Sequence, residues 1–474
     1  MDQDLEKIFE ARELLRNARK AADELRRKTP EELDRLVRAI SEAALAAARE
    51  LAEHAVRESG FGVVEDKVLK NTFAARDVAE SVLKQRTAGV LARDPERGIV
   101  EYGVPMGVVA AIIPCTNPTS TAIFKALISL KAGCAVVMSP HPRTVGCTRR
   151  AAQICQRAVE GAGGPAGAVS CLSGGVLAAT RELMGHELTD VILATGGMGL
   201  VRAAYSSGKP AYGVGPGNVP VYVDRSADVE AAVRQTFRGT TFDSGVVCSC
   251  EQSFVADAPV ADRVKEECAK SGGHFLNPEE TAKVSAFLFP AGEFNAAAVG
   301  MTALWIAENA GIAVPETTKV LLAELDGVGP DHPLSAEKLC PVLAFYTADG
   351  WRAGCERCIE LLKFGGMGHT ISIHARNAEV IEAFAREKPV CRVLVNTCAA
   401  LGAVGYTTNL EPSLTLGPGA WGGSATGDNV TARHLINVKR LAYDREGLPE
   451  REKREPTEEE VALAVRRALD ELGY

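Results

Sequence analysis

The chain has 474 residues, too many for one simple core, so two or three domains are expected. With 46% hydrophobic and 24% charged residues, its composition is that of a folded globular protein and not of a disordered one. A formal net charge of -8 leaves no excess of cations to neutralise phosphates, which argues against a nucleic-acid binder and leaves small molecules or other proteins as partners. No residue run reaches the length of a membrane span, and the opening MDQDLEKIFEARELLRNARK lacks the apolar centre of a secretory signal, so a cytoplasmic location away from membranes is expected. Thirteen cysteines, an odd number without a repeating spacing, read in that reducing setting as free thiols.

In chain order, Ile8, Ala11, Leu15, Ala18, Ala22 and Leu25 recur in steps of three and four and share one helical face. Thr29, Pro30 and Glu32 then form the start of a second helix, with Thr29 as N-cap and Glu32 placed to close a capping box. From about residue 104 the pattern changes. GVVAAIIP (107–114), CAVVMSP (134–140), VILATG (191–196) and VPVYVD (219–224) read as buried strands, separated by helical segments that end in glycine. Such alternation implies a parallel sheet with right-handed crossovers, whose ligands sit beyond the carboxyl ends of the strands. Those ends are PCTNP, SPHPR and ATGGMG. The last follows a strand and precedes a helix, as a phosphate-facing loop does, but it is not G-x-G-x-x-G, and a simple tight turn fits it equally. GVGPGN (213–218) reads as a turn that lets backbones approach closely.

A second α/β stretch begins after residue 225 and carries FDSGVVCSCEQS, in which Cys248 and Cys250 lie two positions apart. The stretch alone leaves nucleophile and small apolar filler both open. CERC (355–358) is a lone C-x-x-C without a second pair at finger spacing, a poor zinc site, so no metal is expected. KLCPVLAFY, GGMGHTISIHA and RVLVNT lead to the glycine-rich SLTLGPGAWGG, and HLINVKRLAYD reads as one more strand. LPEREKREP (448–456) is a charged linker bounded by prolines. After it Thr457 and Glu460 form a capping box for a helix over 457–474 whose Val461, Val465, Leu469 and Leu472 share a face, suited to docking or to folding back on its own domain.

Together PMGVVAAIIPCTNPTST, SPHPR, ATGGMGLVRAAYSSGKPAYGVGPGN, FDSGVVCSCEQS, EKLCPVLAF, GHT and SLTLGPGAWGG, in this order over residues 1 to about 447, resemble the CoA-acylating branch of the aldehyde dehydrogenase superfamily. The resemblance implies an α/β fold: a Rossmann-like cofactor domain with N-terminal helices (1–238), an α/β catalytic domain (239–424), and a return segment (425–447) in a small oligomerising β element. It implies a homodimer or homotetramer that uses NAD, with NADP tolerated, and coenzyme A as cosubstrate. Cys248 falls on the family's nucleophile, Asn117 in the Thr116-Asn117-Pro118 turn near the oxyanion-donating asparagine, and His369 on a histidine recurrent in the acylating group. Glu337 falls on the glutamate that holds the nicotinamide ribose, while Gly196, Gly197 and Gly215 lie in the cofactor loops. Where hydrolytic relatives have a lysine beside the adenosine ribose this chain has SPHP, which leaves Ser139, His141 or Arg143 for that contact; Arg143 suits a 2'-phosphate.

Hydrolytic relatives also carry a water-activating glutamate where this chain has Val214 or a glycine. Without that base a Cys248 thioester should wait for a thiol, which supplies some thiolate at neutral pH unaided. The expected reaction is aldehyde, CoA and NAD to acyl-CoA and NADH, on acetaldehyde or another short aldehyde. Succinate semialdehyde, sulfoacetaldehyde and simple hydrolysis to the acid are the alternatives. The helix over 457–474 is similar to the encapsulation peptides of bacterial-microcompartment enzymes, which implies shell proteins as partners.

Overall fold

The computed structural model describes residues 3–444. The linker at 448–456 and the helix expected over 457–474 lie outside the described residues. Two compact units result: one of 1–89 and 103–437, the other of 90–102 with the segment from 438 onward.

In the larger unit the expected helical face buries Ala11, Leu15, Ala18, Ala22 and Leu25 within the helix Gln3–Leu25. Thr29 caps the helix Pro30–Ala46, and the reciprocal bond from Glu32 closes the capping box. Two further helices, Ala48–Ser59 and Val64–Phe73, follow.

Five parallel strands form the first sheet, in the order Val169–Cys171, Ala135–Ser139, Val108–Ile112, Val191–Thr195, Ala211–Val214. Order reverses between Val108–Ile112 and Val191–Thr195, the topological switch point at which the carboxyl ends of such sheets bind ligands. Beneath it the fully buried Lys125 donates to the carbonyls of Ile112, at 2.7 Å, and Leu193, at 2.8 Å, tying the two diverging strand ends together.

The second sheet has seven parallel strands, in the order Gly273–Phe275, Val320–Glu324, Val342–Ala348, Glu251–Asp257, Val219–Val223, Gly368–His374, Val390–Val395. Buried on both faces, its strands send alternate residues to two cores. Val221, Val223 and Phe254 pack with Val233 and Val264 on one side. Tyr222, Val255 and Tyr346 pack with Leu361, Ile371 and Phe384 on the other. Cys355 and Cys358 lie in this second core, and among the described residues no three His, Cys, Asp or Glu side chains gather as metal ligands do.

Two boundaries differ from the sequence reading. The strand Val219–Val223 and the helix Val229–Thr241, placed with the cofactor domain by a division at 238, belong to the seven-stranded sheet and its covering layer. Strand-helix alternation runs on unbroken from one sheet to the next, so no change of period marks the crossing at 215–218. The return segment also starts later than 425. Residues 425–437 stay in the larger unit, and the smaller one takes over at 438.

The smaller unit holds most of a three-stranded sheet in the order Gly89–Asp94, Ile99–Pro105, Ile436–Ala442. Arg440 pairs with Glu101 at 2.9 Å, and Tyr443 N–H donates to Gly98 O at 2.9 Å, an antiparallel register. Among the described residues no helix is long and apolar enough to cross a membrane.

The stack of Phe384 on Tyr222, with ring centroids 5.3 Å apart, holds the helix Ala378–Glu387 to the second sheet. Phe384→Ala is expected to lower the stability of this unit by about 3–5 kcal/mol, read as a shift in denaturation midpoint.

Candidate active site

A cavity of about 300 Å³ opens at the switch point. The first sheet supplies Cys115, Thr116 and Asn117 from one strand end, Thr195, Gly196 and Gly197 from the other, and Val214 and Gly215 from its edge. The second part of the chain supplies Cys248 and Glu337.

Cys248 arrives on a loop of unusual backbone. Asp243 and Ser244 both have left-handed φ values, 51° and 52°, and Gly245 follows at 80°. Non-glycine residues hold that conformation at a cost of roughly 1–2 kcal/mol each, so surrounding contacts must enforce it. The enforcing group is the Asp243 carboxylate. Buried completely, it accepts from Val63 N–H at 2.7 Å and from Lys67 Nζ at 2.8 Å, and it contacts Lys70 Nζ. A side chain on Gly62 would collide with that carboxylate.

The two cysteines of this loop are not equivalent. Cys248 is partly exposed and lines the cavity. Cys250 is buried, its Sγ bonded to Gly245 O at 3.0 Å and approached by Gln252 Nε2 at 3.0 Å. Burial pushes the Cys248 thiol up to about 12, the Glu337 carboxylate adds to the rise, and Arg392 and, more weakly, Lys70 oppose it. Burial also raises Glu337 itself to about 8, against the Gly217 N–H that donates to it at 3.1 Å.

Gly217 explains the glycine-rich turn before it. A methyl group there would collide with the Cys248 carbonyl oxygen, so the turn permits the close backbone approach expected of it. Asn117 sits at the start of the helix Pro118–Lys131, its Oδ1 accepting from Lys70 Nζ at 2.6 Å and its Nδ2 donating to Thr116 Oγ1 at 3.1 Å.

Not every residue singled out in the sequence comes to this cavity. His141 lines it, with Nδ1 accepting from Arg143 N–H at 3.1 Å and its pKa lowered by burial and then by Arg143. Ser139 lies outside the lining, its hydroxyl paired with Thr180 at 2.7 Å, and the exposed Arg143 guanidinium stands over the Phe61 ring at 5.0 Å. His369 is buried behind Gly217, outside the lining, with Nδ1 on the Thr370 hydroxyl at 3.0 Å and Nε2 without a partner. Burial, and then Arg392, lower its pKa to about 3, so the ring is neutral.

Several participants were not evident from the sequence. Lys67, Lys70 and Asp243 form one buried cluster, and Arg392 spends its donors on the carbonyls of Gly417, at 2.7 Å, and Gly427, at 3.1 Å, and on two side-chain oxygens, none of them a carboxylate. Spacing offered one signal for the lysines: positions 67 and 70 are one helical turn apart. The cavity fits a nicotinamide cofactor at the glycine turn, where Thr195 Oγ1 is buried without a partner and Gly197 leaves open space at a helix start.

The family profile described as "Aldehyde dehydrogenase family" matches residues 6–274. The chain is 42% identical, over 93% of its length, to the bifunctional aldehyde-alcohol dehydrogenase AdhE of Escherichia coli (strain K12), of which it covers 50%. It thus spans about half the length of that relative. It is 35% identical to succinate-semialdehyde dehydrogenase (acetylating) of Clostridium kluyveri, with 91% of this chain and 95% of that protein covered. Among solved structures, an acetylating aldehyde dehydrogenase from Geobacillus thermoglucosidasius superposes with a TM-score of 0.93 at 49% identity, covering 95% of this chain and 99% of that one. The profile match and the reach of these alignments place the chain in the aldehyde dehydrogenase family.

Proposed function

We propose that the chain oxidises a short, uncharged aldehyde to an acyl-CoA, reversibly, through a thioester on Cys248. The observation that carries this reading is the character of the cavity around that thiol. At the position where the resemblance puts the water-activating glutamate of hydrolytic relatives, this chain has Val214 or a glycine, and Val214 and Gly215 both line the cavity. Glu337 is the one carboxylate among the described lining residues; burial raises its pKa to about 8, and the resemblance gives it to the nicotinamide ribose and not to water activation.

In this reading the Cys248 thiolate adds to the aldehyde carbonyl carbon, and the developing oxyanion takes hydrogen bonds from the Cys248 backbone N–H and Asn117 Nδ2. A nicotinamide cofactor in the crevice supplies the hydride acceptor. CoA, as its thiolate, then takes the acyl group and returns the electron pair to the Cys248 sulfur. His369, neutral and weakly basic behind Gly217, suits positioning of the thiol better than deprotonation of it. NAD is the proposed acceptor, with NADP tolerated, and a homodimer or homotetramer the proposed assembly. Attachment to a microcompartment shell through 457–474 is a proposal that rests on sequence alone.

The apolar part of the lining favours an uncharged tail. Leu69, Phe73, Phe242, Leu401, Val404 and Tyr406 line it. Of the lining cations, Lys70 has its three donors engaged by Asn117, Asp243 and Val246, and burial lowers the His141 pKa. A carboxylate or sulfonate tail would enter this wall without a counter-charge. That favours acetaldehyde or propionaldehyde over succinate semialdehyde or sulfoacetaldehyde.

NADH formation with acetaldehyde and NAD should require CoA; sustained turnover at an equal rate without CoA would favour hydrolysis. Across an aldehyde series, kcat/KM should be at least tenfold higher for acetaldehyde and propionaldehyde than for the two anionic substrates, and the reverse order would sink the apolar-tail reading. Cys248→Ala should abolish turnover while Cys250→Ser keeps most of it, with the opposite pattern overturning the assignment. In the cofactor-free protein, Glu337→Gln should speed iodoacetamide alkylation of Cys248 several-fold at pH 9, where Glu337 is charged and suppresses thiol ionisation. At pH 6.5, where Glu337 is protonated, the two proteins should react alike; equal rates at pH 9 would contradict the coupling.

A further inference from the structure

Lys70 is a buried titratable group that the reaction as written does not use, yet it borders the cavity and touches both loops that build it. It lies on the helix Val64–Phe73, one turn after Lys67. Lys67 Nζ donates to Thr116 O at 3.1 Å and to Asp243. Lys70 Nζ donates to Asn117 Oδ1 at 2.6 Å, to Val246 O at 2.9 Å and to Asp243. Each ammonium thus bridges the strand-end turn at 116–117 and the loop that carries Cys248.

An ammonium has three donors and no acceptor, so the Asn117 atom that faces it must be the amide oxygen. Asn117 Nδ2 is thereby turned the other way, where it gives one hydrogen to Thr116 Oγ1 and keeps a second to donate. A charge-assisted bond at the amide oxygen also polarises the amide and strengthens its N–H as a donor. We infer that Lys70 is the positioning residue for the oxyanion site: it fixes which end of the Asn117 amide faces the substrate and holds that amide in register with the Cys248 loop. This inference rests on the proposed role of Asn117 as the oxyanion donor. The chemistry is that of one neutral donor, Asn117 Nδ2, made effective by a cation that never touches substrate.

A double-mutant cycle tests it. In the full chain, with acetaldehyde, CoA and NAD, Asn117→Ala is expected to lower kcat about 100-fold, the loss typical of one oxyanion donor. Lys70→Met should lower kcat at least tenfold with the KM for NAD unchanged. The double variant should fall no further than about threefold below Asn117→Ala, because Lys70 has nothing left to act through. A double variant whose loss is the product of the two single losses would overturn the inference, as would a Lys70→Met enzyme with wild-type kcat. A negligible effect of Asn117→Ala would instead overturn the oxyanion reading on which it rests. Should Lys70→Met not fold, Lys70→Leu replaces it in the same cycle with the same expected and overturning results, and thermal denaturation of each variant separates lost stability from lost turnover.

Discussion

One desolvated carboxylate organises the centre of this molecule. A fully buried Asp243 is tolerable only because two ammonium groups and a backbone N–H share its charge, and removing both lysines would leave an uncompensated ion in the interior. The same pairing enforces two successive left-handed residues, a run that is rare outside glycine, and so determines where the chain points on leaving Gly245. It points Cys248 into the crevice where the strand order of the first sheet reverses. Because the two lysines also hold the turn at 116–117, the nucleophile and the amide proposed to stabilise its adduct share a single electrostatic anchor.

Around that anchor the fields on the thiol are opposed. Desolvation holds it protonated, joined by Glu337 at the higher pH where that carboxyl is ionised, and Arg392 and Lys70 pull toward ionisation. The resting thiol is thereby kept quiet, while two cations stand in place to stabilise a thiolate once the balance tips. Arg392 does a second job, gripping the carbonyls of the glycine-rich stretch at 417–427, so the loop closing this side and the charge near the sulfur come from one side chain.

The legible parts of the sequence were those in which local chemistry and fold agree. GVVAAIIP, VILATG and VPVYVD are short, apolar and β-branched, and each became a strand. Thr29 and Glu32 wrote their own cap. The strand Val320–Glu324 is not legible in the sequence, since LLAE suits a helix as well as a strand and its parallel neighbour at Val342–Ala348 selects the extended form. The crossing between sheets was misplaced because one period serves both. At the site, Cys248, Asn117, Gly196, Gly215 and Glu337 were within reach of motif reasoning, and all five line one cavity. Lys67 and Lys70 were not, because VEDKVLKNTF reads as a solvated helix; their partner Asp243 is over 170 residues away in sequence, and only the fold shows that the lysines are buried.

The contrast between the two neighbouring thiols has a consequence for durability. Two cysteines separated by one residue invite an intramolecular disulfide under oxidative stress, which would silence a catalytic thiol without any outside partner. Here Cys250 is turned into the protein and tethered to Gly245 and Gln252, with its pKa held far up by burial, so it is neither near enough in orientation nor acidic enough to attack an oxidised Cys248. A Cys248 sulfenic acid would therefore find no resolving partner in Cys250, and capture by a diffusing thiol would compete with irreversible oxidation to the sulfinic acid. In an enzyme proposed to bind CoA, such a thiol reaches the site as substrate: it would condense with the sulfenic acid to a mixed disulfide and water, and a second thiol would then release the Cys248 thiol by exchange.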